Sequence, residues 1–139
     1  MKSEDEPIEP DEFVLRLIWR DFCKRGEPPI IRPRAFRPKP NETDGISVFR
    51  EACVSRPEDI LAVIDEDKRD KYGIVRIPVA ELIALDLSLV SAKIETVSGH
   101  AVIPELSIVA FDADPKELET ILEVLAVIAR ANVIRKPSN

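Results

Sequence analysis

Four side chains in this sequence are of the types that a small nucleotide-acting enzyme can use: Arg16, Ser47, His100 and Glu105. A histidine that follows a glycine at the start of a strand can act as a general base or orient a substrate phosphate. His100 is the single histidine of the chain, and Glu105 is the candidate carboxylate that follows it. The alternative is structural, with a ring nitrogen of His100 closing a local backbone turn. We favour this alternative, because no spacing motif connects the histidine to a partner.

A basic segment offers a different chemistry, the binding of an anion or of an acidic partner. Residues 16–39 contain eight basic and two acidic residues, whereas the whole chain has a net charge of −6. The candidate partner- or anion-binding residues are Arg20, Arg32, Arg34 and Arg37. The alternative, which we favour, is that this segment lies against the acidic remainder of the same chain. A pI of about 4.9 and few interleaved aromatic residues oppose nucleic acid as a partner.

Several other classes of function lack the residues that they need. The four glycines are isolated, so no glycine-rich phosphate loop is present. One histidine and two cysteines are too few ligands for a typical zinc site. We therefore predict no metal and no cofactor. Cys23 and Cys53 are expected to be buried apolar residues. The longest apolar run, residues 124–129, is far shorter than a membrane span of roughly 20 residues. No signal-peptide pattern is visible, and we expect a cytoplasmic protein without a membrane partner.

The elements that must position these residues are predicted to form an α+β domain. We expect a mixed four- or five-stranded sheet, packed by short helices and by one long C-terminal helix. Residues 1–10, which are acidic and contain two prolines, are predicted to be a loose terminus, and residues 11–139 a single domain.

The first half of the chain gives one ambiguous element and several clear ones. Residues 12–24 fit a helix or, over Phe13–Ile18, a short buried strand, and the helix is favoured. Five prolines exclude a helix interior and a central strand from residues 26–40. Residues 41–45 are predicted to form a turn, and Ile46–Phe49 a strand.

The second half of the chain contains residues that typically start helices. Ser55 and Glu58 have the form of a capping box and predict a helix of about three turns. Asp114 and Pro115 predict the start of the long C-terminal helix, which should run from about residue 115 to 133. The remaining predictions are strands over residues 72–77, 87–97, 100–103 and 107–111, and a short helix from Pro78 through Leu85.

The outer face of the predicted C-terminal helix suggests self-association. Its second half is apolar almost all round, and such a helix is normally buried on every side. A second layer from the same chain is one possible cover. The other is a homodimer or an unidentified protein partner, with Val127, Arg130 and Ile134 in the contact.

Three short stretches resemble a group of small bacterial proteins. They are Ala35-Phe-Arg-Pro38, Asp44-Gly-Ile-Ser-Val48 and Gly99-His-Ala-Val-Ile-Pro-Glu-Leu106. Members of the group carry Ala-Phe-x-Pro, Gly-Leu-Ser-Val-like and Gly-His-Ala-x-Ile-Pro-Glu patterns in this order. The resemblance implies a first element that is a strand. It implies no activity and no catalytic residue, because none is established for the group, but it draws attention to residues 35–48 and 99–106 as a shared site.

The sequence favours a non-catalytic protein-interaction module. The alternative is a small nucleotide- or nucleic-acid-acting enzyme, loosely similar to a compact ADP-ribosyltransferase-type toxin domain, with Arg16, Ser47, His100 and Glu105 as its site. The two hypotheses differ in one structural expectation. An enzyme requires these side chains to line one concave pocket with a carboxylate.

Overall fold

The first apolar run of the chain forms a strand rather than a helix. In the computed structural model, which describes residues 1–138, Phe13–Trp19 forms strand β1 near the middle of a sheet. Val14 and Leu15 point to opposite faces, and both are fully buried. A strand that is covered on both faces is a continuous apolar run. Such a run fits the apolar spacing of a helix as well as that of a strand. The helix favoured for residues 12–24 was therefore wrong, and the strand alternative is confirmed.

The main sheet has six antiparallel strands. After β1 and a separate two-stranded hairpin, β2 (Cys23–Lys24) and β3 (Ile30–Ile31), come β4 (Ile46–Arg50), β5 (Tyr72–Pro78), β6 (Val90–Ser91), β7 (His100–Ile103) and β8 (Val133–Arg135). The order across the sheet is β6-β7-β4-β1-β5-β8. The α+β class is confirmed. The sheet is antiparallel rather than mixed and has six strands instead of four or five, because β1 and β8 join it and residues 107–111 do not.

In the part of the chain that the structure describes, three α-helices accompany the sheet: α1 (Val79–Ala84), α2 (Ile108–Ala113) and α3 (Pro115–Arg130). The helix after Pro78 and the start of α3 are confirmed, and the Asp114 carboxylate accepts from the Glu117 amide as a cap. The strand predicted over residues 107–111 was wrong. Ser107 Oγ accepts from the Ala110 amide at 3.1 Å, and this cap starts α2 instead.

The segments between these elements contain short 3-10 helices, and the helix predicted after Ser55 is one of them. These helices are Arg20–Phe22, Pro33–Phe36, Glu51–Cys53, Pro57–Val63, Glu66–Lys71 and Pro104–Leu106. The Arg56 amide donates to the Asp59 carboxylate, so the cap lies one residue later than the predicted Ser55–Glu58 box. The prolines of residues 26–40 leave neither a central strand nor a helix interior there, as predicted.

Two apolar clusters cover the two faces of the sheet. The larger lies between the sheet and α3, and includes Val14, Phe36 and Leu122. The smaller lies on the opposite face under the 57–63 helix, and includes Leu15, Phe49 and Ile60. The long strand expected over residues 87–97 was wrong: only β6 pairs within the described part of this segment, and Val90 and Ile94 are exposed.

The acidic N-terminus, which was predicted to be loose, is hydrogen-bonded to Arg50 at the end of β4. The Arg50 guanidinium donates to both oxygens of Glu12 at 3.0 Å and to the backbone carbonyls of Glu6 and Pro7. The Glu4 carboxylate accepts from the Gly99 amide. Arg50 is therefore the anchor that ties residues 4–12 to the sheet.

Candidate functional site

Arg16 closes the point at which β1 and β4 separate. The two strands pair only as far as Leu15 and Phe49, so the next backbone groups of β4 have no strand partner on that side. The Arg16 guanidinium fills this gap: it donates to the Ser47 carbonyl at 2.8 Å and twice to the Ala35 carbonyl, at 3.0 and 3.1 Å. We call this point the strand fork.

Glu42 completes the strand fork. Its carboxylate accepts from Arg16 Nη1 at 2.9 Å, from the Ser47 amide at 2.6 Å and from the Lys39 amide at 3.0 Å. Burial by itself would raise the pKa of Glu42, but the Arg16 charge and these hydrogen bonds outweigh it, and the pKa lies below its ordinary value. Arg16 is thus fully engaged with its own chain and holds the fold together, so it is not free to bind a substrate.

Ser47 and His100 lie in one cleft beside the strand fork. This cleft has a volume of about 260 Å³ and is lined by polar residues, Arg16, Lys39, Asn41, Glu42, Ser47 and His100, and by apolar ones, Leu17, Phe49, Val63, Ile64 and Ile94. We call it the histidine cleft. A neighbouring hollow of about 340 Å³ shares Asn41, Ser47 and His100 with it. Arg16, Ser47 and His100 thus line one concavity together with a carboxylate, and that carboxylate belongs to Glu42.

The His100 ring is fixed on two sides. Its Nδ1 lies 2.6 Å from the Ala92 carbonyl, and its ring packs edge-on against Phe49 at a centroid distance of 5.2 Å. A carbonyl oxygen can only accept, so Nδ1 carries the proton of this bond. In the neutral ring Nε2 is then an acceptor, and no group of residues 1–138 is bonded to it. The Nδ1 bond of His100 thus reaches the backbone eight residues earlier instead of closing a local turn, and Nε2 offers an acceptor to the cleft.

Glu105 does not join the other enzyme candidates. It lies beyond the end of β7, where its carboxylate accepts from the Ser88 amide at 2.8 Å and from the Ser88 hydroxyl at 2.6 Å. Burial alone would raise the pKa of Glu105, but the bonds from Ser88 lower it below its ordinary value. Glu105 is not among the residues that line the histidine cleft. The proposed four-residue site is therefore not assembled as a unit.

The four arginines proposed for an anionic partner do not form one strip. Arg37 is ion-paired with Glu119 of α3 and lies over the Phe111 ring. Arg34 lies over the Phe22 ring at 5.7 Å, and Arg32 is exposed. Arg20 lies over Trp19 and lines a separate hollow. The basic segment is thus divided between contacts within the chain and a free surface.

The hollow beside Arg20 is strongly basic. It has a volume of about 540 Å³ and is lined by Arg20, Cys23, Lys24, Arg25, Gly26, Glu27, Pro29, Lys136 and Pro137. We call it the basic hollow. Four cationic side chains face one carboxylate there, and that carboxylate, Glu27, is paired with Lys136. Burial raises the pKa of the Cys23 thiol to about 11, so this cysteine is a poor nucleophile at neutral pH.

The three residues proposed for a subunit contact are separated by the true end of α3. The helix ends at Arg130 rather than at residue 133, because the following residues pair with β5 as β8. Ile134 consequently packs on the smaller apolar cluster, away from the outer face of α3. Val127 is 73% exposed on that outer face, and Arg130 donates to the Pro28 carbonyl.

Several residues of these sites escaped the sequence analysis. Lys39, Asn41 and Glu42 line the histidine cleft together with Ser47, and no local sequence pattern reports this. Lys24 and Arg25 were visible as basic residues, but only the hairpin β2–β3 brings them opposite the C-terminal Lys136.

Residues 1–138 contain no cluster of three or more His, Cys, Asp or Glu side chains arranged to hold a metal ion. Among the same residues, no helix has the length and apolar character required to cross a membrane. Comparisons with known protein families, with curated proteins and with solved structures find no match.

Proposed function

We propose that this chain is a non-catalytic protein-interaction module that binds an acidic segment of a partner protein in the basic hollow. The observation that carries the proposal is the concentration of Arg20, Lys24, Arg25 and Lys136 around one concavity of an otherwise acidic chain. Neither Lys24 nor Arg25 has an ion-pair partner within residues 1–138, so both charges are available. A concave cluster of one sign of charge focuses the field and attracts an oppositely charged partner.

A protein segment fits this surface better than nucleic acid does. No aromatic side chain lines the basic hollow, so bases would have no stacking platform. The net charge of −6 repels an extended polyanion. A short acidic segment needs no stacking platform, and its carboxylates can replace Glu27 in the pair with Lys136.

The proposal is tested with a labelled ten-residue Asp/Glu-rich peptide, followed by fluorescence anisotropy at low and high salt. We expect saturable binding that weakens as salt rises. The double variant Lys24→Glu/Arg25→Glu should weaken binding at least tenfold, or about 1.4 kcal/mol. The matched control, Lys68→Glu/Lys116→Glu, makes the same change of net charge on exposed lysines elsewhere and should leave binding almost unchanged.

Two outcomes contradict this proposal. Equal weakening by both double variants would mean that only net charge matters. Preference for a ten-residue oligothymidylate over the acidic peptide would replace a protein partner with single-stranded nucleic acid.

A small nucleotide-acting enzyme remains the second candidate function. The convergence of Arg16, Ser47 and His100 in one cleft favours it. The engagement of Arg16 with Glu42 and two carbonyls opposes it, as does the distant position of Glu105. Hydrolysis of a nucleotide by the wild-type chain that is abolished in His100→Ala would support the enzyme over the module.

A further inference from the structure

The histidine cleft contains polar groups that have no hydrogen-bond partner in the fold. Within residues 1–138, no hydrogen bond occupies the Ser47 hydroxyl, the Asn41 side-chain amide, the Lys39 ammonium or His100 Nε2. The Lys39 ammonium does contact the face of the Tyr72 ring, at 5.8 Å from its centroid. Arg16 and Glu42, by contrast, satisfy each other and the backbone of the strand fork. The unused groups are one acceptor, one cation and two groups that can both donate and accept.

The charge of the cleft favours a monoanion. Arg16 and Glu42 neutralise each other as a pair, which leaves the Lys39 ammonium as the charge of the lining that has an aromatic ring, and no carboxylate, as its partner within residues 1–138. Burial, followed by the Arg16 charge, lowers the pKa of Lys39 below its ordinary value, and Glu42 only partly opposes this. A ligand carboxylate placed beside Lys39 would neutralise the charge of the Lys39 ammonium.

The volume of the histidine cleft and the apolar side chains that line it indicate what else the ligand contains. A ligand confined to this cleft of about 260 Å³ is small. Val63 and Ile94 are each 37% exposed at the cleft, and Phe49 and Ile64 also line it. A short branched apolar group would cover these side chains.

We propose that the histidine cleft binds a small carboxylic acid that also carries a hydroxyl group and a short branched chain. The carboxylate pairs with Lys39, the hydroxyl donates to His100 Nε2, and the apolar group packs against Val63 and Ile94. This site is separate from the basic hollow and does not depend on the function proposed for it.

The single histidine gives the test a clean signal, because the imidazole nitrogens of His100 have no overlapping resonances. The probe is 2-hydroxy-3-methylbutanoate, titrated into the ¹⁵N-labelled chain. We expect a saturable shift of the Nε2 resonance with a Kd of about 1 mM, typical of a ligand of this size. Removing the hydroxyl, in 3-methylbutanoate, should weaken binding at least threefold and abolish the Nε2 shift.

Two comparisons test the role of Lys39. The neutral probe 2-hydroxy-3-methylbutanamide should bind at least tenfold more weakly to the unmodified chain. Lys39→Gln should weaken binding of the acid by a similar factor, whereas Lys116→Gln, an exposed lysine of α3, should not. The proposal is overturned if the acid gives no saturable shift, if acid and amide bind equally, or if a folded Lys39→Gln variant binds the acid as well as the unmodified chain does.

Discussion

At the scale of single residues, Arg16 and Glu42 replace a missing stretch of β-ladder. The carbonyls of Ala35 and Ser47 and the amides of Lys39 and Ser47 are all bonded to this ion pair. Removal of one partner from a buried pair leaves an uncompensated charge, which typically costs about 3–5 kcal/mol. We expect Arg16→Met to lower the free energy of unfolding by this amount in urea denaturation.

A matched variant separates this effect from the loss of an arginine in general. Arg32→Met removes an exposed arginine from the same basic segment and should leave the urea midpoint nearly unchanged. If Arg16→Met cost no more than an exposed ion pair, about 1 kcal/mol or less, the strand fork would not depend on the guanidinium.

The protonation of Glu42 makes the strand fork sensitive to acid. Its pKa in the folded chain lies below the ordinary value of 4.5, so folding favours the ionised form. The stabilisation is fully present above pH 4.5 and is lost as the pH falls through the folded-state pKa. Glu42→Gln should therefore be less stable than the unmodified chain at neutral pH, and the two denaturation midpoints should converge in acid. A difference that stays constant with pH would contradict this.

Residue types alone were a partial guide to these sites. The chemistry of Arg16, Ser47 and His100 was predictable from the sequence, and they do share a cleft. The engagement of Arg16 was not predictable, because Glu42 lies 26 residues away in a segment that reads only as a turn. The distance between two side chains across a fold is set by tertiary structure and not by their spacing in the chain.

At the scale of elements, the turn before β4 controls the position of Glu42 and Asn41. Gly45 has a φ of +132°, and a Cβ added there would overlap the carbonyl of Ile103 at the end of β7. Gly45→Ala should therefore lower the free energy of unfolding by at least about 2 kcal/mol, from backbone strain and from the displaced carbonyl. Thermal denaturation measures this, with Thr43→Ala, an exposed change in the same turn, as the control. Equal midpoints for the two variants would contradict the close approach.

Element ends were predictable where the signal is local. Asp114 and Pro115 started α3 as expected, because a cap and a first-turn proline act within one turn of helix. The C-terminal end of α3 was not predictable from the sequence. Instead of extending the helix, Val133–Arg135 pair with β5, a strand about 60 residues earlier in the chain. The same limit applied to β1, whose apolar run fits a helix until both faces of the sheet are known to be covered.

At the scale of the whole molecule, acidic and basic side chains are concentrated in different parts of the structure. At the N-terminus, Glu12 pairs with Arg50 and Lys2, and Asp5 pairs with Lys93. These carboxylates consequently do not neutralise the basic hollow, which is formed by β2–β3 and the C-terminal residues. The net charge of −6 conceals this separation, and an average over the sequence could not have located it.

Self-association is the last property that the whole molecule determines. Its own chain covers the inner side of α3, and Ile134 lies on the other face of the sheet, so the apolar contact predicted for a homodimer reduces to Val127 and its half-covered neighbour Val124. In a two-fold contact Val127 would meet its own copy, and Glu123 would face Arg130 of the second subunit. Such a patch is small compared with stable interfaces, which bury at least about 1,200 Å².

We therefore expect a weak dimer, visible in light scattering as a mass that rises with concentration from 15.6 kDa. Val127→Glu should hold the mass at the monomer value, whereas Val109→Glu, equally exposed on α2, should not. A constant monomer mass for the unmodified chain would contradict the dimer.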